Sequence, residues 1–418
     1  MSLINRGIKN SSYLLISRIL LVILGLFSSI LLTRNLSLAT FGAVVTVFTY
    51  VNMFTYLSFN GISAYVMRQG AKSIDELPIL IDKTSGVKLF FVIFAQIICV
   101  GFLPITSFSL NIKLLIILYS FYLIFNSLLS HWIIVFDVYE KFQYRAILNI
   151  LPQFFYFLSG IYIVYFIVDE NLQIILLVLS NLLSFAITLL LCYKYSQKIL
   201  RFKSSFSELF FDKKILIGGT YFFIITLAGL LFAKVDVFMV SLLGGQEEVA
   251  LYSVANRLTR QLSEIRTVMY AGFFPVLIKR ASISSIDKNK FFKTTFFFFL
   301  IVAAIALIVS NFSEVIFITI YGDKYAYSGY LFSLLCFFLA IDYSIQPYVM
   351  LLTASGNEKI VAIIFSILSI TNILTNVVFY GYWELKGIVY STLLTYSIFA
   401  ILIIFIGIPI LKKNKVIY

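Results

Sequence analysis

The chain has 418 residues, of which 61% are hydrophobic and 12% are charged, and its formal net charge is +13. Soluble domains carry about 25% charged residues, and a globular protein of this length cannot hide so much apolar surface in one core. The composition therefore excludes a soluble protein and predicts one whose solvent is the bilayer. The apolar runs last about twenty residues without alternation, so helices are expected to span rather than a closed barrel.

The first apolar run follows a short segment that contains Arg6 and Lys9, and it has the full length of a membrane-spanning helix. No cleavage site of small residues follows it, so we expect an uncleaved helix rather than a signal peptide. Twelve helices are predicted. Those of the first half are Ser12–Leu32, Phe41–Met67, Gly86–Phe108, Ile112–Phe136, Tyr144–Val168 and Leu172–Tyr193. Those of the second half are Ile215–Leu243, Val249–Ile278, Phe291–Asn311, Gly329–Thr353, Glu358–Phe379 and Gly387–Leu411.

The longest hydrophilic stretch, Lys194–Lys214, divides the chain into two halves of six helices. We therefore predict an N-terminal lobe over residues 1–197, a basic cytoplasmic linker over 198–214 and a C-terminal lobe over 215–418. With both termini in the cytoplasm, the inside segments hold 22 lysines and arginines and the outside segments hold four. This positive-inside asymmetry fixes the orientation. It also accounts for most of the net charge, so no nucleic-acid partner is expected.

Several kinds of chemistry have no support in the sequence. No G-x-x-x-x-G-K-[ST] loop is present, which argues against that mode of ATP binding. His131 is the only histidine, which excludes a metal site built from several histidines, and the three cysteines lie singly in apolar runs. No loop is long enough to hold an active-site domain outside the bilayer. We therefore predict neither an enzyme nor a cofactor or metal site, and movement of a substrate across the membrane is the expected function.

Ionisable residues inside the predicted helices are costly, so they must face protein or water. Arg18 and Lys88 lie near the inner face, where a long side chain can extend to the interface. The cations exceed the anions, which predicts a wet cavity that favours an anionic guest such as a phosphate. The cations are Arg18, Lys88, Lys234, Arg257, Arg260 and Arg266, and the anions are Asp236, Glu264 and Asp342.

The predicted eighth helix carries the densest charge. Arg257, Arg260 and Glu264 follow i, i+3, i+7 spacing and share one face, whereas Arg266 points away. Arg260 and Glu264 can pair at i, i+4. Asp236 and Arg257 lie at similar depths on either side of a glycine turn, so the two could pair across that hairpin. These residues are open to two interpretations, as substrate contacts or as structural ion pairs that fix one helix against the next.

Four short motifs follow one another in order along the chain. They are Leu32-Thr33-Arg34-Asn35-Leu36 with Phe41-Gly42; Ala233-Lys234-Val235-Asp236 running through Leu243-Gly244 to Val249-Ala250-Leu251-Tyr252-Ser253-Val254-Ala255; Ile320-Tyr321-Gly322-Asp323-Lys324-Tyr325; and Leu351-Leu352-Thr353-Ala354-Ser355-Gly356-Asn357-Glu358-Lys359. Together they resemble motifs of the polysaccharide flippases of the Wzx type, within a superfamily that includes multidrug extruders and lipid II flippases. Ala250 stands where that family usually has glycine.

The resemblance implies an all-α integral membrane protein with two six-helix lobes around a central cavity. It implies alternating access that moves a polyprenyl-pyrophosphate-linked oligosaccharide, such as an O-antigen or capsule unit, from the inner to the outer leaflet of the bacterial cytoplasmic membrane. The expected partners are this substrate, membrane lipids and other membrane proteins of polysaccharide assembly. The expected substrate-binding residues are Arg18, Arg257 and Arg260, with Lys234 and Arg266; Asp236, Glu264 and Asp342 are expected to be structural or coupling residues.

Two other functions stay open at this point. A cation-coupled multidrug extruder of the same fold would need acidic residues in the first lobe, and the first three predicted helices contain none. A membrane-embedded glycan polymerase or ligase would need a long outer loop, and the predicted outer loops are short.

Overall fold

The computed structural model describes residues 3–59, 61–200, 234–283 and 288–413, with the backbone alone for some helical residues, Glu264 among them. Within these ranges the chain is helical and contains no strand. Contacts divide it into two compact units, Met1–Leu227 and Ala228–Tyr418. The predicted boundaries around the basic linker stay predictions, because residues 201–233 lie outside the described ranges.

Nine helices run through the described part of the first unit. They are α1 (Leu3–Asn35), α2 (Leu38–Phe54), α3 (Gly61–Gly70), α4 (Leu77–Gly101), α5 (Leu110–Tyr119), α6 (Phe121–Trp132), α7 (Ile134–Val138), α8 (Phe142–Phe166) and α9 (Glu170–Leu200). In the second unit the helices are α10 (residues 234–243), α11 (Gln246–Ile283), α12 (Lys288–Tyr321), α13 (Ala326–Ala354), α14 (Glu358–Leu402) and α15 (Ile408–Lys413), with a π-helical turn at Ile403–Gly407 before α15.

The outer surfaces of these helices are apolar, as the composition predicted. Ile97, Leu190 and Ile370 each leave more than three-fifths of their surface exposed (63%, 68% and 62%). Such exposure is costly in water and costs nothing against lipid chains. In the described residues, nine helical segments are long and apolar enough to cross a membrane. The last of them, Lys359–Lys412, has 54 residues, which at 1.5 Å per residue is about 80 Å and more than one crossing.

The all-helical membrane fold is therefore confirmed. The total of twelve crossings and the cytoplasmic location of both termini stay predictions.

Three predicted helices of the first unit have different boundaries in the structure. The second, predicted as unbroken from Phe41 to Met67, ends at Phe54 and resumes at Gly61, and Phe59 between them has a left-handed φ of 51°. The fourth bends at Ser120 and Ile133. The third begins at Leu77, nine residues before Gly86, with a proline in its first turn.

The early start of α4 has a local cause. The predicted start at Gly86 excludes from the helix the polar residues that precede it. In the structure Thr84 and Ser85 donate their hydroxyls to the backbone carbonyls of Leu80 and Ile81, at 2.6 and 2.7 Å. Their polar groups are thus satisfied within the helix itself, which continues through them.

Helix α14 consists of two arms that meet at Glu384, whose backbone is non-helical with φ 50° and ψ −132°. The arms lie against each other, since the hydroxyls of Thr375 and Ser391 are 2.6 Å apart. Gly387 of the second arm lies so near the first that an added Cβ would collide with the carbonyl oxygen of Phe379. The close approach requires glycine at this position, because only glycine lacks a Cβ.

Each unit has its own apolar core. In the first unit, Leu77 and Ile81 of α4 pack with Trp132, Val135 and Phe136 of the fourth predicted crossing. In the second unit the core joins α13, α14 and the π-helical turn.

Candidate functional site

The acidic residue Asp236 of α10 is only 3% exposed, and both of its carboxylate oxygens accept hydrogen bonds from side chains. Its Oδ1 accepts a hydrogen bond from Nδ2 of Asn376 at 3.2 Å, and its Oδ2 accepts one from the Thr392 hydroxyl at 3.0 Å. Nδ2 of Asn376 also lies 3.2 Å from Oδ1 of Asn372. Asn376 and Thr392 belong to opposite arms of α14, so one carboxylate joins α10 to both arms.

The partners of Asp236 form an oxygen-rich cluster. Besides the carboxylate it contains the Asn372 and Asn376 side-chain amides and the Thr392 hydroxyl, which also donates to the Ile388 carbonyl at 2.9 Å. Oxygen ligands of this kind suit a small hard cation, and the carboxylate can alternatively take up a proton. The arrangement is compatible with the coupling role predicted for Asp236.

The predicted contact between Asp236 and Arg257 is wrong. Among the described residues Asp236 bonds only to uncharged side chains, and no carboxylate pairs with Arg257, which is exposed on α11. The charge that acts on Asp236 is that of Arg260. Three residues along a helix correspond to a rotation of about 60°, which turns one of these guanidinium groups inward and the other outward. Matched depth alone could not distinguish them.

Arg260 is half-buried on α11 and acts electrostatically on two buried carboxylates, those of Asp236 and Asp342. Within the described part of the chain its buried Nε has no hydrogen-bond partner. The predicted pairing of Arg260 with Glu264 lies outside the described side chains. Arg260 is thus a half-buried cation that retains an unused hydrogen-bond donor within the described structure.

Arg266 and Asp342 were predicted in different roles, and the structure places them together. Nε of Arg266 lies 3.1 Å from Oδ2 of Asp342, and its Nη1 donates to Oε1 of Gln346. Both charged side chains are largely buried, with 18% and 10% exposed. The pair joins α11 to α13 and neutralises the positive charge that the prediction had left available for a substrate.

For the remaining predicted residues the structure gives the exposure of the side chains. Arg18 is exposed on α1, and Lys234 is exposed at the start of the described part of α10. Lys88, expected to reach the inner interface, is instead fully buried. Because α4 begins at Leu77, Lys88 lies eleven residues into the helix, which is about 16 Å from its start.

Sequence reasoning missed Asn372, Asn376 and Thr392. A signal was present, since two asparagines four residues apart in an apolar helix share one face. Polar side chains repeated on one face of a spanning helix indicate contact with protein or water rather than lipid.

Taken together, helices that are long and apolar enough to cross a membrane, with charged residues buried among them in the described ranges, define a multi-pass membrane protein. Solved structures of membrane transporters and flippases have the same fold. A lipid II flippase MurJ in an inward closed conformation superposes with a TM-score of 0.71 at 16% identity, covering 95% of this chain and 87% of that one. An inward-facing multidrug resistance MATE family transporter of the MOP superfamily has a TM-score of 0.69 at 16% identity, covering 94% and 95%. An outward-facing structure of such a transporter has a TM-score of 0.62 at 14% identity, covering 97% and 96%.

A family model described as polysaccharide biosynthesis protein matches residues 8–280, well over half of the chain. The chain therefore belongs to this family. No curated protein sequence matches it significantly. The solved structures that share its fold are a flippase and multidrug transporters, in line with the prediction of a transporter rather than an enzyme.

Proposed function

We propose that the protein is a flippase that moves a polyprenyl-pyrophosphate-linked oligosaccharide from the inner to the outer leaflet of a bacterial cytoplasmic membrane, by alternating access. The family membership supports a role in polysaccharide assembly, and the fold supports transport. O-antigen and capsule repeat units are substrates of this class. Other membrane proteins of polysaccharide assembly are the expected partners.

The observation that carries the proposal is the state of Arg260. A guanidinium that is half-buried and keeps an unpartnered Nε in the described structure has the donors that a phosphate needs. Among the ionisable residues that the sequence analysis placed in helices of the second half, the four cations Lys234, Arg257, Arg260 and Arg266 exceed the three acids Asp236, Glu264 and Asp342. The cations still outnumber the acids after Arg266 is paired with Asp342.

In this mechanism Arg260 binds a pyrophosphate oxygen, and Arg18, Arg257 and Lys234 provide further positive charge along the route of the headgroup. The lipid tail stays in the bilayer beside the protein. Asp236 controls the charge near Arg260, and uptake of a proton or small cation at Asp236 would change how strongly that arginine holds the phosphate.

The test is flipping of a fluorescent lipid-linked sugar in vesicles that contain the purified chain. Guanidinium binds phosphate through two parallel hydrogen bonds, which an ammonium cannot reproduce. Arg260→Ala should lower the rate by roughly tenfold or more, and Arg260→Lys should give an intermediate loss. Arg18 and Arg257 are tested in the same two forms.

Arg68→Ala is the matched control, because Arg68 is an exposed arginine at the end of α3 and has no part in the proposed mechanism; it should transport normally. The amount of each variant in the vesicles is measured alongside. Normal flipping by Arg260→Ala at a normal protein level would show that the cationic mechanism is wrong.

A second candidate is a cation-coupled multidrug extruder, and the oxygen-rich cluster around Asp236 favours it. The two functions differ in cargo. Efflux of a cationic dye that depends on Asp236, without flipping of the lipid-linked sugar, would support the extruder.

A further inference from the structure

The first unit contains a cavity of about 500 Å³ that none of the predicted site residues lines. It lies among α1, α3, α6, α7, α8 and α9. Its polar lining comes mainly from two helical stretches, and the remainder is apolar and includes Phe185. The volume falls in the range of about 300–1,000 Å³ that is usual for sites that bind small organic ligands.

One row of polar side chains comes from α8. Arg145, Asn149 and Gln153 are spaced four residues apart, so they project from one face of the helix, and all three line the cavity. Asn126 and Ser130 of α6 are also four residues apart, and Asp137 of α7 continues that side of the cavity. The two rows meet where Nη1 of Arg145 donates to Oδ1 of Asp137 at 2.6 Å.

Several of these groups have unused hydrogen-bonding capacity. Nε2 of Gln153 donates to the Ser28 hydroxyl at 2.9 Å, and the Ser130 hydroxyl donates to the Ser127 carbonyl at 2.8 Å. In the described structure, however, the amides of Asn126 and Asn149 form no hydrogen bond with any other group. Both lie in segments apolar enough to span the membrane. Polar groups at that depth need partners, so the cavity is built for a guest that supplies them.

The charge of the cavity lining indicates what kind of guest fits. Asp137 and Arg145 cancel, so an anion or a cation entering the cavity would be attracted by one group and repelled by the other. Two amides, each with a donor and an acceptor side by side, suit a neutral ligand rich in hydroxyl groups. Phe185 adds an aromatic surface for an apolar ring face. A sugar has all of these properties.

We propose that this cavity of the first unit binds the uncharged sugar part of the substrate, with Asn126 and Asn149 as the hydrogen-bonding residues. The proposal rests on the proposed flippase function and adds a site for the part of the substrate that the arginines of the second unit do not recognise. Asp137 and Arg145 hold the two rows at a fixed separation.

The experiment compares two lipids that differ only in the sugar. One is the lipid-linked sugar purified from cells in which the gene is deleted, and the other is sugar-free undecaprenyl diphosphate. Binding of each to the purified full chain in detergent is measured for wild type, Asn126→Leu and Asn149→Leu. Leucine is similar in size to asparagine, and no described hydrogen bond is lost from the free protein.

Each leucine variant should bind the sugar-bearing lipid about tenfold more weakly, which corresponds to the loss of one or two hydrogen bonds. Binding of the sugar-free lipid should stay within about twofold of wild type. The matched control is Asn52→Leu, because Asn52 lies in α2 and its side-chain amide, within the described structure, donates only to the carbonyl of its own helix at Phe48. It should bind both lipids like wild type.

A second measurement does not depend on these variants. The three native cysteines are buried, so the thiol of Ser130→Cys is the accessible one, and its labelling by a maleimide can be followed. The sugar-bearing lipid should slow the labelling several-fold, and the sugar-free lipid should not.

The possible failures are distinct. If Asn126→Leu and Asn149→Leu bind the sugar-bearing lipid as tightly as wild type, or lose affinity for both lipids equally, the sugar site is wrong and the flippase function stands. If wild type binds neither lipid, the proposed function is wrong, and the sugar site with it.

Discussion

Removing one partner of the buried Arg266–Asp342 pair should destabilise the second unit measurably. Asp342→Leu leaves the guanidinium with Gln346 as its only remaining partner in the described structure. Breaking a buried ion pair from one side costs about 3–5 kcal/mol. The side chains keep 18% and 10% of their surface exposed and Gln346 still accepts a hydrogen bond, so we expect about 3 kcal/mol.

A more conservative change separates charge from shape. In Asp342→Asn the new amide would still offer an oxygen to Nε of Arg266, so this variant should cost less, about 1–2 kcal/mol. The double variant Arg266→Met with Asp342→Leu removes both charges and fills the space with apolar groups. It should recover most of the loss, because apolar replacement of a buried pair is often neutral.

The assay is thermal unfolding of the detergent-purified chain. It compares the single variants Arg266→Met and Asp342→Leu with the double variant that combines them, in one mutant cycle. The single variants should lower the melting temperature by several degrees and the double variant by less than either. If the losses of Arg266→Met and Asp342→Leu simply add, the two residues do not stabilise each other and the argument from their contact fails.

Other changes test the coupling residue, the α14 hairpin and the topology. Asp236→Asn should change the stability by no more than about 1 kcal/mol, since Asn376 and Thr392 keep neutral partners, but should reduce transport roughly tenfold; normal transport would remove Asp236 from any coupling role. Gly387→Ala should lower the amount of folded protein, because its Cβ would meet the backbone at Phe379, and an unchanged yield would mean that the two arms can separate there. Reporter tags at Tyr418 and within residues 198–203 should lie in the cytoplasm and one at Gly245 outside, whereas an external Tyr418 would contradict an even number of crossings.

Much of the fold could be predicted because long apolar stretches and their flanking charges are local properties of the sequence. Each described helix of the second unit overlaps a predicted one. The errors arose where polar residues continue a helix by bonding to their own backbone, as Thr84 and Ser85 do in α4. A sequence pattern cannot distinguish such a turn from a loop, because composition does not show where a hydroxyl finds its acceptor.

The site was less predictable because its contacts join distant parts of the chain. Their position in apolar stretches singled out Asp236, Arg260, Arg266 and Asp342, and in the structure the two aspartates are buried and the two arginines are half-buried. Their pairing depended on which side of α11 faces α10 and which faces α13, and small rotations decide this. Asn376 and Thr392 both contact Asp236 because α14 folds back at Glu384. The residue at this break is neither glycine nor proline, so the sequence does not indicate it.

The folded-back α14 also constrains how the protein is made. If the first arm entered the bilayer alone, its polar residues Asn372, Thr375 and Asn376 would lie in hydrocarbon without the partners that the second arm and α10 provide. Polar groups in that position are expensive. Since Gly387 leaves no room for a lipid chain between the arms at that level, the two arms should leave the translocation machinery as a preformed hairpin, and the ribosome must have synthesised both before either is released into the membrane.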